Sequence, residues 1–445
     1  MKSVCNHNRR LGQLALPLLL QYIIANASTL INTSYVGHEA DPVELSGLVL
    51  ATSLSMATGY NIISGITSAS ATLCGQAFGS SNYSALHNTL QRSLLICALA
   101  CVPITGVWMH AEWILQHLGQ TPAIAAGASR YLQLTLPALY LYTIHECVDK
   151  YLLSQGVVRP ALAITAASTA LTPVFAWWFV AHQGLGLEGA AWAYVAVQAC
   201  TTGLGLAYLG YRELVKLPGS PPPGFQPLRP SRSALQGWGP YVALAVPAVL
   251  SYCMEGWAVE VLIFLSGACL LDNAEVAVGV TGLALQFSTL VWLAAASLGS
   301  ATSTRVAIEL GRGDGLAAKR TAQTAVGAVL VTQTLIGLAA YSCARPLLGL
   351  MTNNTEVMQL SLTVMPVLAC CFIADGLNAV QGAVLRGAGR QWWTAGLAIV
   401  GWWCVGVPLA YWLGLVQGGN VPGLWAGFAV ASALQSGLQA VAINK

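Results

Sequence analysis

The chain has 445 residues, 56% of them hydrophobic and only 8% charged, with a formal net charge of +3 and a mean hydropathy of +0.64. A soluble protein of this length would carry far too little charge for its surface, so a water-soluble globular fold is excluded. The composition is that of an all-α polytopic membrane protein.

Apolar stretches of about 20 residues, each long enough for a helix to cross a bilayer, run through the chain. A first series lies at 11–36, 45–70, 90–109, 128–152, 161–181 and 189–210. A second lies at 240–268, 275–299, 321–341, 357–382, 393–414 and 421–442. Twelve transmembrane helices are therefore expected. The first stretch imitates a cleavable signal, with basic residues, an apolar run and the small-residue string Ala25-Asn26-Ala27. Its apolar run is longer than a signal core, and it has a counterpart starting near Pro240, so it is read as the first span.

The fourth stretch ends in a polar cluster, His145, Glu146, Asp149 and Lys150. Glu146 is read mainly as a cytosol-proximal acid paired with Lys150 or a nearby arginine, with a proton site in the first lobe as the second reading. Between the two series lies 212–239, which holds the proline-rich run 218–224 and the basic residues Lys216, Arg229 and Arg232. Such composition makes an extended connector. It divides the chain into an N-terminal lobe, 1–211, the linker 212–239, and a C-terminal lobe, 240–445.

The two halves resemble each other. Leu14-Ala15-Leu16-Pro17 and Tyr22 recur as Leu244-Ala245-Val246-Pro247 and Tyr252, and Leu134-Thr135-Leu136-Pro137 recurs as Thr363-Val364-Met365-Pro366, at a shared offset of about 230. Ala77-Phe78-Gly79 likewise falls at Glu309-Leu310-Gly311, and Gly189 with Trp192 falls near Gly423 with Trp425. A six-plus-six repeat that starts on one side implies two pseudo-symmetric six-helix lobes, an arrangement used by alternating-access transporters.

Charge gives the orientation. Counting from Lys2, Arg9 and Arg10 through twelve spans, every Lys and Arg except Arg130 and Arg345 falls on the starting side. By the positive-inside rule that side is the cytosol. The opposite loops carry acids such as Glu44, Glu112, Glu188, Asp272 and Glu356.

Within the seventh stretch, Cys253-Met254-Glu255-Gly256-Trp257-Ala258-Val259-Glu260 sets a carboxylate in an apolar run. A helix beginning near Pro240 places Glu255 about four turns deep, near mid-membrane. An ionised group there costs at least about 2.5–3.5 kcal/mol and is a functional-site candidate by default. Asp375 lies at comparable depth in the tenth span. It stands nine residues after Pro366, as Glu146 stands nine after Pro137. A desolvated carboxyl group holds its proton to higher pH than a solvated one, and two that share a site titrate together. That behaviour suits an exchanger in which a proton and a cation compete. The structural alternative, two acids satisfied by backbone, Ser, Tyr or Asn, is disfavoured because no Lys or Arg is expected at either depth. Glu260 lies about 140° around the helix from Glu255. Its role is open between direct proton handling and a place at the outer mouth of the site.

Pro17, Pro137, Pro173, Pro247, Pro366 and Pro408 lie inside spans, free backbone carbonyls and allow bending. Pro247, two turns before Glu255, is the expected hinge. The pairs Trp177-Trp178, Trp392-Trp393 and Trp402-Trp403 are expected at helix ends in the interfacial belt. The twelve cysteines lie mostly in spans and form no Cys-x-x-Cys pair, which suggests neither disulfides nor metal.

Several strings match a known family. Tyr35-Val36-Gly37-His38, TLCGQAFG at 72–79, CMEGWAVE at 253–260, STRVAIELGRGD at 303–314 and VLRGAGRQ at 384–391 resemble the multidrug and toxic compound extrusion (MATE) family, most closely its eukaryotic branch. The resemblance covers nearly the whole chain. It implies a proton-coupled antiporter that exports organic cations and xenobiotics from a cavity between two six-helix lobes. The family's seventh-helix acid falls on Glu255, its neighbour on Glu260 and its tenth-helix acid on Asp375. Two family acids are missing, since Ala71 stands where many members have a carboxylate and Gln286 where some animal members have one. Gln286, Asn378 and Tyr252 complete the candidate site as secondary residues, together with Glu146.

An enzyme would need a nucleophile with its base or a metal constellation, and His145-Glu146 lacks the second histidine of His-Glu-x-x-His. The two-lobe repeat disfavours a channel or receptor. The alternatives kept are an exporter of organic anions or secondary metabolites in the same family, and a lipid-precursor flippase of the same superfamily, which would need cations facing the cavity. No cofactor is expected beyond an ion gradient, with the proton preferred to Na+. The expected partners are small organic cations or other amphipathic substrates, protons and membrane lipids, with no nucleic acid and no second subunit. The membrane is the plasma membrane or that of a vacuole or other organelle, with both termini cytosolic, and Asn353 is a glycosylation candidate on the far side.

Overall fold

The computed structural model describes residues 2–39, 41–215, 231–269, 274–352 and 354–444. The proline-rich run with Lys216 and Arg229, Asp272 and Asn353 lie outside them. Among the described residues all regular structure is helical. Hydrocarbon offers no partner to a backbone N–H or C=O, and a helix satisfies each within its own segment.

The first helix, α1 (Lys2–Glu39), is followed by α2 (Pro42–Ser55), a π-helical stretch Met56–Tyr60, and α3 (Asn61–Gly79). Next come α4 (Tyr83–Met109), the short α5 (Ala111–His117), α6 (Pro122–Leu134) and α7 (Leu136–Leu153). Then α8 (Arg159–Ala170), α9 (Thr172–Ala176), a π-helical stretch Trp177–His182 and α10 (Gly186–Val215) follow. A 3-10 turn, Arg232–Leu235, precedes α11 (Trp238–Cys269), α12 (Ala274–Gly311) and α13 (Gly315–Ser342). The short α14 (Ala344–Gly349) leads to the long α15 (Thr355–Gly387). After it come α16 (Gln391–Ala398), a π-helical stretch Ile399–Gly406, α17 (Val407–Tyr411), a second π-helical stretch Trp412–Val416 and α18 (Asn420–Asn444).

Nine helical segments among the described residues are long and apolar enough to cross a membrane. The expected spans 45–70, 128–152 and 189–210 are also helical but more polar or interrupted. The first passes through the π-helical stretch at 56–60, and the second breaks at Thr135 (φ −87°, ψ 2°). The third carries buried Gln198, Thr201 and Thr202. The turns that follow the matched strings Ala77-Phe78-Gly79 and Glu309-Leu310-Gly311 share local structure. Asn82 caps α4 by accepting from the Ala85 N–H at 3.0 Å, and Asp314 caps α13 by accepting from the Ala317 N–H at 2.8 Å. Each cap follows a residue in the left-handed region, Ser81 at φ 58° and Gly313 at φ 78°.

The chain forms two compact units, Leu20–Val249 and a second made of Met1–Leu19 with Leu250–Lys445. It crosses from one to the other inside α1 and inside α11, two residues after Pro17 and two after Pro247. Both prolines lie within unbroken helices, as does Pro366. Pro137 and Pro173 instead sit in the first turn of a new helix, where a missing N–H costs nothing, and Pro408 follows the π-helical stretch Ile399–Gly406 inside the continuous helical segment 391–416.

In the first unit, fully buried Trp108 donates its indole N–H to Thr58 Oγ1 at 3.0 Å. A Cβ at Gly59 would lie 2.7 Å from the Trp108 ring, so glycine in the π-helical stretch is what admits the indole. In the second unit, α15 is central and packs against α12, α13 and α18. Membrane helices approach closely where residues are small, and a Cβ on Gly387 would lie 2.5 Å from the Ser303 carbonyl oxygen.

One expectation about the tryptophans is corrected. Trp177, Trp178, Trp392 and Trp393 are exposed, but Trp402 is 4% exposed and packs against Phe428 with ring centroids 5.0 Å apart. Trp402 and Trp403 lie in mid-segment, in the π-helical stretch Ile399–Gly406. The extra residue per turn of a π-helical stretch shifts the register around the helix, so apolar bulk that reads as a helix end is turned into the core.

The Gly387 packing gives a direct test. Gly387→Ala is expected to lower stability in detergent by about 1–3 kcal/mol through overpacking, whereas Gly396→Ala, with nothing within 4 Å of its Cβ, leaves the thermal melting midpoint unchanged.

Candidate functional site

Three helices of the second unit converge on the predicted acids. The α11 helix supplies Tyr252 and Glu255, one turn apart and therefore on one face. The α15 helix supplies Asp375, and one turn later Asn378, which is buried. Glu255 and Asp375 are both half-buried and lie close enough to act on each other electrostatically.

The α18 helix closes the group with buried Ser432, Gln435, Ser436 and Gln439, which recur every three or four residues and so form a polar stripe. Ser432 faces Asp375, yet among the described residues its hydroxyl completes no hydrogen bond of normal geometry. Ser436 donates to Gln381 Oε1 on α15 at 3.0 Å. Trp403 donates its indole N–H to the Met254 carbonyl at 3.0 Å, fixing the backbone one residue before Glu255.

The expectation that no cation reaches the acids is overturned. Arg386, near the end of α15, acts electrostatically on Glu255, and its guanidinium carbon lies 5.5 Å from the centroid of the Tyr252 ring. A residue at the edge of a span normally turns its charge outward. Here the side chain follows the helical tendency to lean toward the N-terminus, which on α15 is the direction of Asp375. Gly382 makes the room: a Cβ there would lie 3.2 Å from Arg386 Nη1 and 3.5 Å from Gln439 Nε2. That glycine one turn before an arginine, inside VLRGAGRQ and its approach, was the signal in the sequence.

The other candidates separate. Glu260 is half-buried further along α11, and Gln286 is exposed on α12. Glu146 belongs to the other unit. Its carboxylate lies 3.1 Å from Lys150 Nζ, with both side chains 16% exposed, and accepts from the Tyr142 hydroxyl at 3.2 Å. Tyr142 shares a further hydrogen bond with Ser64 at 3.1 Å, and Asp149 accepts from Gln21 at 3.4 Å. Arg130, a basic residue off the cytosolic side in the charge count, pairs with exposed Glu188 at 2.9 Å.

Membrane-length helices that carry half-buried acids beside a polar stripe are those of an integral, multi-pass membrane protein. The MatE family model matches residues 17–178 and 247–412, and the chain belongs to the multidrug and toxic compound extrusion (MATE) family. It is 31% identical to Protein DETOXIFICATION 16 of Arabidopsis thaliana, over 94% of this chain and 84% of that one. Protein DETOXIFICATION 17 of the same plant is 30% identical over 95% of this chain and 86% of its own length. Among solved structures, the eukaryotic MATE transporter AtDTX14 matches with a TM-score of 0.90 and 28% identity, covering 99% of this chain and 96% of that one. An outward-facing multidrug resistance MATE transporter of the MOP superfamily shares the fold at a TM-score of 0.86 and 16% identity, covering 98% and 96%. The relatives are transporters of small molecules, not enzymes.

The Glu146 pair can be separated from a free acid by a double-mutant cycle. Lys150→Met, which leaves the carboxylate uncompensated, is expected to lower the melting midpoint more than the double variant Glu146→Gln/Lys150→Met.

Proposed function

We propose that this protein is a secondary active efflux transporter that exchanges organic cations or xenobiotics for protons by alternating access. Twelve spans in two six-helix lobes, 1–211 and 240–445 joined by the linker 212–239, carry out the exchange. The observation that supports this reading is that Glu255 and Asp375 of one unit act on each other electrostatically, beside a row of amides and hydroxyls on α18 and the guanidinium of Arg386. When both are ionised the site attracts a cation; when protonated it does not. The two ligands therefore compete, and binding one drives release of the other.

Pro247 supplies the flexibility this needs. It lacks an N–H two turns before Glu255, so the helix bends there at low cost. Asn378, Tyr252 and Gln286 are secondary residues of the site, Glu260 either handles protons with the two acids or stands at the outer mouth, and Glu146 with Lys150 is a structural pair. The driving force is adequate: a one-for-one exchange of a monovalent cation and a proton yields about 1.36 kcal/mol per pH unit, a tenfold accumulation. Protons rather than Na+ serve as the coupling ion, both termini face the cytosol, and the protein works as a monomer in the plasma membrane or an organelle membrane.

Arg386 favours one second reading, an exporter of organic anions, because a guanidinium beside the acids gives an anion a partner. Flux in liposomes with an imposed pH gradient separates the two. A fluorescent organic cation is expected to accumulate, and Glu255→Gln and Asp375→Asn are each expected to reduce uptake to the level of protein-free vesicles. Parent-like transport by both variants would exclude the mechanism, and accumulation of an anionic dye in place of the cation would establish the second reading.

A further inference from the structure

We propose that Arg386 is a tethered cation that occupies the substrate site of the empty transporter, so that an organic cation binds by displacing its guanidinium from Glu255 and from the face of Tyr252. The inference rests on the cation reading above and adds a residue that sets charge selectivity.

The geometry has three parts. Asp375, Asn378, Gly382 and Arg386 succeed one another at intervals of three and four on α15 and so share a face. From position 386 an outward path to water is short, yet the guanidinium lies back over Gly382, beside Gln439, with its carbon 5.5 Å from the Tyr252 ring centroid. Tyr252 stands one turn before Glu255, so the ring and the carboxylate form one seat for a planar cation with an apolar face. Arginine is suited to that seat, since it stacks on aromatic faces and is more weakly hydrated than an ammonium.

The same seat describes the displacing ligand. A bare ion takes only the carboxylate, whereas an organic cation also recovers the interaction with the ring that Arg386 gives up. Resident arginine therefore raises the threshold for small hydrated ions more than for organic ones. The charged and titratable groups of the seat are Glu255, Tyr252 and Asp375 on α11 and α15. Its wall on α18 is the uncharged stripe Gln435, Ser436 and Gln439.

The test is equilibrium binding to the purified full-length protein, at one pH, of two probes of equal shape and opposite charge, tetraphenylphosphonium and tetraphenylborate. Two unit charges a few ångströms apart in a partly buried site repel strongly enough to change affinity about tenfold or more. Arg386→Gln is expected to tighten the phosphonium by about that factor and to weaken the borate. Arg386→Lys, which keeps the charge, is expected to stay near the parent. Gly382→Val, which fills the space beneath the guanidinium while keeping the arginine, is expected to shift both probes in the same direction as Arg386→Gln, and it serves should Arg386→Gln fail to fold. Equal loss of both probes would mean a structural role and would overturn the proposal, as would phosphonium affinity unchanged in both Arg386→Gln and Gly382→Val. Parent-like phosphonium binding by Glu255→Gln would instead remove the underlying cation reading.

Discussion

A carboxylate at membrane depth must meet a cation, a proton or a set of hydrogen-bond donors, because leaving it bare costs at least about 2.5–3.5 kcal/mol. Much of the chemistry in this chain follows from how that requirement is met at two places. At Glu146 the answer is permanent, with Lys150 at 3.1 Å and the Tyr142 hydroxyl at 3.2 Å. At Glu255 and Asp375 the neighbours are the guanidinium of Arg386, an aromatic ring and a row of amides and hydroxyls. The first arrangement holds its acid against a fixed partner, whereas the second sets its acids beside uncharged groups and one guanidinium.

The contrast is sharper because the two acids occupy equivalent places in the repeat. Glu146 and Asp375 each stand nine residues after a matched proline, but four residues on the first half has Lys150 and the second has Ala379. The backbones diverge as well, since the first half breaks at Thr135 before Pro137 while α15 runs through Pro366. Lysine against alanine one turn on is thus one of the differences, together with the broken backbone, that leave Glu146 in an ion pair and Asp375 without a cation at that position.

Nine of the expected spans were legible because lipid demands length and apolarity, both of which are local properties of the chain. The acids were legible for the same reason, as they interrupt that apolarity. Features that depend on geometry within a helix were hidden. The π-helical stretch Ile399–Gly406 turns Trp402 into the core and brings Trp403 to the Met254 carbonyl, and no composition marks that change of register. Arg386 was misread because position along the chain places it at a span edge, where long basic side chains usually reach for water. The direction of its side chain was decided by Gly382, an absence of atoms rather than a charge. The α18 stripe of Ser432, Gln435, Ser436 and Gln439 was in plain view at helical spacing, yet amides in an apolar segment draw less notice than carboxylates.

Counting Arg386 with the acids changes what one transport cycle can carry. Glu255 and Asp375 ionised, with the arginine resident, amount to a net charge of minus one. On the proposed exchange, an organic cation that takes the guanidinium's place leaves that sum at minus one, while a proton bound with the arginine resident brings it to zero. Whatever the charge of the site, a one-for-one exchange of a monovalent cation and a proton moves no net charge across the membrane, so voltage, which supplies about 2.3 kcal/mol per 100 mV for each unbalanced charge, adds nothing to it. Arg386 therefore bears on which ligand the site accepts rather than on the driving force, because a ligand that replaces a cation over Tyr252 restores the charge the site holds at rest.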